Sequence, residues 1–276
     1  MVSRVRGIHF SFFIALLLIA APGFGRGLVV SPTQLGLVGK GGTIAMGVLT
    51  VASSRAEDND VRVAIRDFTR GEDGRLKIAE ADSPSHPRSC KEWLTVDRSS
   101  FVSPSSGRVE LPVRARIPDL ASGSYWAAIL VASAAPPRSS EQGYGLQIVP
   151  QIAIPIIVTV SGTEHRDVRL ISVRALRNAD GAITAEALVE NRGNAAVILN
   201  GAMSIDERNE ELVSSDIPTT VSLPDSRSRI VTKLNYADSI DGKSVHAILR
   251  YGPKASDVLD GSGRIETVAM EAARSQ

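Results

Sequence analysis

Apolar residues occupy every second position in short runs along most of this chain. In residues 109–117 every odd position is apolar, and the charged residues Glu110 and Arg114 lie between them. Shorter runs with the same period occur at 44–48 and 61–65. A period of two is typical of β-strands that bury one face and expose the other. No stretch after the N-terminal segment has the spacing of an amphipathic helix, so the pattern predicts an all-β fold.

Turn-forming residues divide these runs into two series. Clusters of Gly, Pro, Asn, Asp and Ser separate the strands, as expected of an all-β sandwich. A short linker at 162–165 follows the first series, and the second series continues from Val168 to Tyr251, with a hairpin turn at 178–181. The sequence therefore predicts two immunoglobulin-like β-sandwich domains, at 28–162 and 165–270.

The first 25 residues have the composition of a signal peptide. Arg4 and Arg6 precede an apolar stretch at 10–21, which Pro22 ends before the small-residue pattern at 23–25. The stretch is short for a membrane span, which needs about 20 residues. We expect cleavage near residue 25 and a periplasmic or secreted protein without an integral membrane span; an uncleaved N-terminal anchor is the alternative.

The run at 143–161 is the longest in the chain. It predicts a strand of about 15 residues, whereas strands usually have about 5–6. Pro150 and Pro155 lack an N–H, so the strand must be an edge, a bulge or a bend at those points. Two interpretations stay open: an exposed edge that binds a partner, or a central strand that fills the sandwich.

Composition and motifs argue against catalysis. Lys and Arg number 31 against 30 Asp and Glu, and the charges are interspersed, so nucleic acid is a poor partner. Cys90 is the only cysteine and is expected to be structurally idle, with a free thiol or an intermolecular link as alternatives. His86, His165 and His246 lie far apart in the sequence, and no catalytic or phosphate-binding motif is present. We therefore predict a protein that is not an enzyme, with no cofactor and no metal site.

An ordered series of motifs resembles a known family. Pro32 opens a strand, Trp93-Leu94-Thr95-Val96-Asp97 precedes a Pro-x-x-Gly turn at 104–107, and Gly123-Ser124-Tyr125-Trp126 begins another strand. The series resembles the N-terminal immunoglobulin-like domain of periplasmic pilus-assembly chaperones. The turn at 189–195 resembles one found in bacterial immunoglobulin-like and adhesion modules. Both tryptophans are expected to fill sandwich cores.

The resemblance implies a mode of binding. In this family the last strand of the first domain lends alternating apolar side chains to an unfinished pilus subunit. The corresponding partner-binding residues here are Leu146, Ile148, Ile152, Ile154, Ile156 and Val158. The family also holds its client's terminal carboxylate with basic residues on the first and last strands, but 28–38 and 143–161 contain no Lys or Arg.

These observations predict a noncatalytic exported protein that binds another envelope protein by strand complementation, and the resemblance implies that this partner is a pilus subunit. The alternative is a cell-envelope scaffold or adhesion module built of tandem sandwiches.

Overall fold

The computed structural model describes residues 28–53, 58–105, 107–134, 151–178, 180–208, 210–252 and 257–267. The signal-peptide prediction lies outside these residues. Within them every regular element is a strand except a 3-10 turn at Lys91–Trp93. The strands before residue 162 are β1 (Leu28–Ser31), β2 (Leu35–Gly39), β3 (Ile44–Ser53), β4 (Asn59–Arg66), β5 (Phe68–Arg70), β6 (Leu76–Ile78), β7 (Leu94–Val96), β8 (Ser100–Ser103), β9 (Arg108–Arg116), β10 (Gly123–Ala134) and β11 (Gln151–Val160). The later strands are β12 (Val168–Arg177), β13 (Ile183–Asn191), β14 (Val197–Glu207), β15 (Glu210–Asp216), β16 (Thr220–Ser222), β17 (Ser226–Leu234), β18 (Ser244–Tyr251) and β19 (Asp257–Thr267).

Two sheets form the first immunoglobulin-like sandwich. One has the strand order β1-β3-β9-β7 and the other β2-β11-β10-β4-β8, while β5 and β6 form a separate hairpin. β1 and β2 follow each other in the chain but belong to different sheets, and the Ser31–Pro32 peptide bond between them is cis. β1 therefore pairs with β3 in one sheet, and β2 pairs with β11 in the sheet on the other side of the core.

The core of this sandwich follows the predicted alternation in β9 but not in β3. Leu111, Val113 and Ala115 are fully buried, as the sequence predicts. In β3 the larger residues of the 44–48 run face outward instead, and Met46 is 63% exposed. The cause is β2, because a Cβ at Gly47 would lie 2.8 Å from a Leu37 methyl group. Only small side chains fit on the inner face of this part of β3.

The second sandwich is built from β12 to β19. Its strands follow the order β15-β14-β18-β19-β12-β13-β17, and β16 pairs with β14. A separate apolar cluster fills its interior, including Ile183, Leu199 and Met203. The all-β prediction with two immunoglobulin-like sandwiches is confirmed.

A third apolar cluster lies between the two sandwiches. The outer face of β10 and β11 provides Leu130 and Ile157, the β5–β6 hairpin provides Phe68, and the second sandwich provides Val221 and Leu223. All five side chains are at most 7% exposed. The surface between the sandwiches, which we call the seam, is therefore packed like a core and not merely bridged by a linker.

Candidate functional site

β11, the strand expected to bind a partner, gives most of its apolar side chains to the first sandwich's own core. Ile152 is partly buried against this core. Three further side chains are 0% exposed in it: Ile154, Ile156 and Val158. Side chains enclosed in this way expose no surface to a partner in this structure. Contact between these three side chains and a partner stays a prediction from the resemblance. Leu146 and Ile148 lie outside the described residues.

The outer edge of β11 is covered along only half of its length. β10 pairs with β11 from Gln151 to Val160, whereas β2 pairs with it only from Ile156 to Val160. Among the described residues, no strand pairs with the outer edge at 151–155. An unpaired strand edge presents N–H and C=O groups that accept a further strand. We call this stretch, which is paired with β10 alone among the described residues, the open edge.

The second face of β11 belongs to the seam. Ala153 and Ile157 pack in the cluster between the sandwiches, and Pro155 between them is buried. Both faces of the strand are therefore covered, which accounts for its nearly continuous apolar sequence. The basic anchor that the family resemblance implies is absent from β2 and β11, because neither strand contains Lys or Arg.

Hydrogen bonds through one asparagine tie the linker to both sandwiches. The Asn194 carbonyl accepts from the Ser124 N–H at 2.7 Å, and its side-chain oxygen accepts from the His165 N–H at 2.6 Å. Its amide group donates to the Thr163 carbonyl at 3.0 Å. Sequence reasoning noted the turn at 189–195 only as a family likeness. The polar residues of this turn are the signal from which the role of Asn194 could have been inferred.

Arginines and carboxylates line one side of the seam. Glu190 accepts from the Nε of Arg192 at 2.7 Å and from the Nε of Arg227 at 3.1 Å. The hydrogen bond from Arg192, and then that from Arg227, holds the pKa of Glu190 below its usual value. Arg229 joins the two sandwiches, because it pairs with Glu72 of the first at 3.1 Å. These ion pairs could not be predicted from the sequence, because charges interspersed along the chain do not show which side chains lie close together in the fold.

Trp126 lies at the seam rather than in a sandwich core, and this corrects the sequence expectation. His86 stacks on its ring at 4.8 Å between centroids, and its indole N–H donates to the Phe68 carbonyl at 3.1 Å. Burial is the main cause that lowers the pKa of His86. Trp93 is partly buried against the core of the first sandwich.

Cys90 is 0% exposed and is a free cysteine. Burial raises the pKa of its thiol, which disfavours the reactive thiolate. An intermolecular disulfide would need the thiol at the surface, so that alternative is excluded by the fold.

The described part of the chain brings together no metal-ligand set. No group of three or more His, Cys, Asp or Glu residues within it could hold a metal ion. His86 contacts Asp67, and His246 lies between Asp206 and Asp260, so the two histidines occupy separate sites. Among these residues there is no helix that is long and apolar enough to cross a membrane.

Comparisons with known proteins give structural likenesses only. No protein-family model matches the chain, and no curated protein matches it. A solved chaperone–tip adhesin complex of CFA/I fimbriae contains a chain that is 13% identical, with a TM-score of 0.47, and the match covers 86% of this chain and 98% of that one. The structure of the Salmonella enterica SafA pilin with the SafB chaperone gives 12% identity, a TM-score of 0.46, and coverage of 85% and 95%. The E. coli chaperone DraB is 12% identical, with a TM-score of 0.46, and the match covers 86% of this chain and 98% of that one. The chain is thus similar to fimbrial chaperones, at a level that carries no argument about its activity.

Proposed function

We propose that this chain is a noncatalytic exported protein that binds an extended segment of another envelope protein by strand addition at the open edge of β11. The observation that carries the proposal is the short coverage by β2, which ends at Ile156 and, within the part of the chain that the structure describes, leaves 151–155 paired on one side only. Strand addition supplies affinity through main-chain hydrogen bonds and specificity through alternate side chains. A pilus subunit is the partner class that the family resemblance suggests.

Pro155 indicates which backbone groups face the partner. It lies opposite Ala128 in the β10–β11 ladder and has no N–H to give to β10. Proline is accommodated in a strand where its nitrogen faces an unpaired side. Backbone groups two residues apart point in the same direction, so the N–H groups of Ala153 and Gln151 face the open edge as well.

The side-chain part of the binding surface is smaller than the sequence suggests. With Ile154, Ile156 and Val158 enclosed, the candidates are Ile152 and the two preceding apolar residues of the same parity, Leu146 and Ile148. No Lys or Arg on β2 or β11 can fix a client carboxylate. We therefore expect binding here to depend on main-chain and apolar contacts and to change little with salt concentration.

A proline substitution tests this proposal. Ala153→Pro should remove one outward N–H while keeping every bond to β10, so the chain should fold and bind its partner at least about tenfold more weakly. The measurement is photocrosslinking from a probe at the exposed position 151, in the cells that produce the protein, with the crosslinked partner identified by mass spectrometry. Circular dichroism and urea unfolding check the fold.

The matched control is Val38→Ala, which shortens an exposed side chain of β2 and leaves the backbone of the open edge intact; its crosslinking from the same probe at 151 should equal that of the unsubstituted chain. Undiminished crosslinking in a folded Ala153→Pro variant would contradict strand addition at this edge.

One observation favours the scaffold or adhesion alternative. The outer face of β3 and β9 combines exposed apolar residues with arginine, as in the opposed pairs Met46–Arg114 and Ile44–Arg116. Ile44 is 52% exposed. If Met46→Ser abolishes partner crosslinking and Ala153→Pro does not, contacts made by this sheet face replace strand addition.

A further inference from the structure

A polar cleft opens along the seam, away from the open edge of β11. Its volume is about 580 Å³. Arg70 enters it from the β5–β6 hairpin of the first sandwich, and Arg192 and Arg227 enter it from the second. A ligand in this cleft would contact both sandwiches at once.

The carboxylates that line the cleft are already engaged by other arginines. Glu190 is shared by two arginines of the lining, as described above. Glu72 pairs with Arg229 at 3.1 Å, and Asp225 lies 3.6 Å from the Nε of Arg88. Within the described residues, these pairings leave Arg70 without a carboxylate partner.

Arg70 is an under-satisfied cation at this position. Its Nη1 donates to the Val221 carbonyl at 3.3 Å, while its Nε is buried and has no hydrogen-bond partner among the described residues. Burial lowers the pKa of Arg70, because desolvation disfavours the charged guanidinium. A buried or half-buried charge normally has a counter-charge.

Further guanidinium donors of the cleft have no partner among the residues that the structure describes. Arg192 engages Glu190 through Nε, and Arg227 engages it through Nε and Nη2. A guanidinium has five N–H donors in a planar fork that matches carboxylate oxygens. The remaining donors of these two side chains, together with Nη2 of Arg70, make the cleft receptive to anions.

We propose that this cleft binds an acidic polypeptide segment, whose carboxylates pair with Arg70 on one sandwich and with Arg192 and Arg227 on the other. A peptide is favoured over a single inorganic ion because the three guanidinium groups come from separate elements around a cleft of about 580 Å³. The site is independent of strand addition at β11 and shares no residue with it.

The test measures binding of a fluorescently labelled hexaglutamate peptide to the whole exported chain by anisotropy. Arg70→Gln should weaken binding about tenfold, and Arg70→Lys should weaken it less, because an ammonium keeps the charge but loses the fork. Arg116→Gln removes an exposed arginine on β9 and is the matched control, with unchanged affinity. Hydrogen exchange should show new protection in the β5–β6 hairpin and at the start of β17.

Three results would overturn the proposal. They are equal affinity of the Arg70→Gln and Arg116→Gln variants, protection that appears away from the seam, and displacement of the peptide by inorganic phosphate at equal concentration, which would make the ligand a free anion. If Arg70→Gln does not fold, Arg192→Gln gives the same test from the second sandwich, with a comparable loss expected. Ala153→Pro should leave peptide binding intact, which separates this site from the open edge.

Discussion

Two histidines of this chain show how the side chains around an imidazole shift its pKa in opposite directions. His246 lies between two carboxylates, with Nε2 at 2.6 Å from Asp260 and Nδ1 at 3.2 Å from Asp206. The hydrogen bond to Asp260 is the largest of the causes that raise its pKa. His86 is stacked on Trp126 near the seam, and burial lowers its pKa despite the nearby Asp67.

The stability of the folded chain should depend on pH through His246. Because its folded pKa is raised, His246 contributes stability that is full below its unfolded pKa of about 6.5. This contribution is lost as the pH rises through the folded pKa. Unfolding in urea should therefore show a larger difference between the native chain and His246→Gln at pH 5.5 than at pH 8.5. An imidazole titration by NMR should place His246 above His86, and Asp260→Asn should lower the pKa of His246; the reverse order of the two histidines would contradict this assignment.

Single residues also mark the limit of inference from the sequence. The sequence predicted a structurally idle Cys90, but the polar neighbours of this residue do not indicate that it is enclosed next to the 3-10 turn. Trp126 is adjacent in sequence to core residues such as Ala127, but its parity points it toward the seam. Local composition does not report which distant segment covers a residue, so the surroundings of these two side chains could not be predicted.

At the scale of elements, alternation predicted most strands because one face of each is buried by its own sandwich. It predicted β9 well and failed where packing is set by another strand, as for β3 beneath Leu37 of β2. It also missed β19, whose sequence contains Asp, Ser and two glycines. β19 pairs with β12 and β18 and lies so close to β12 that a Cβ at Gly263 would overlap the Val173 carbonyl. The glycines that allow this close approach also interrupt the apolar alternation from which a strand would be predicted.

Glycine substitutions test this close approach. Gly263→Ala should force β19 away from β12 and lower the free energy of unfolding by about 2–3 kcal/mol, because the added methyl group meets backbone that cannot move aside. Gly36→Ala in β2 is the matched control, since a Cβ there has no atom within 4 Å. That change should be neutral or slightly stabilising. Urea unfolding measures both, and equal stabilities of the two variants would mean that β19 does not pack against β12 in this way.

At the scale of the whole molecule, the seam could not be predicted from the sequence. Its members Phe68, Ile157 and Leu223 are separated by many residues and belong to different strand patterns. The resemblance to tandem chaperone domains implied two sandwiches, but not how firmly they join. The candidate sites depend on this joining, because the cleft takes arginines from both sandwiches and the outer face of β11 is covered by the seam.

Because apolar contacts at the seam join the two sandwiches, we expect them to unfold cooperatively. Leu223 is 3% exposed at the seam, and Leu234 is 2% exposed inside the second sandwich. Truncation of either buried leucine should cost about 2–5 kcal/mol, but at different places in the molecule. In scanning calorimetry the native chain should unfold in one transition, and Leu234→Ala should move that transition to lower temperature. Leu223→Ala should instead split it in two, because it removes contacts that couple the sandwiches and few that stabilise either one alone. A single, equally sharp transition in Leu223→Ala would show that polar contacts such as those of Asn194 and Arg229, rather than the apolar seam, hold the two sandwiches together.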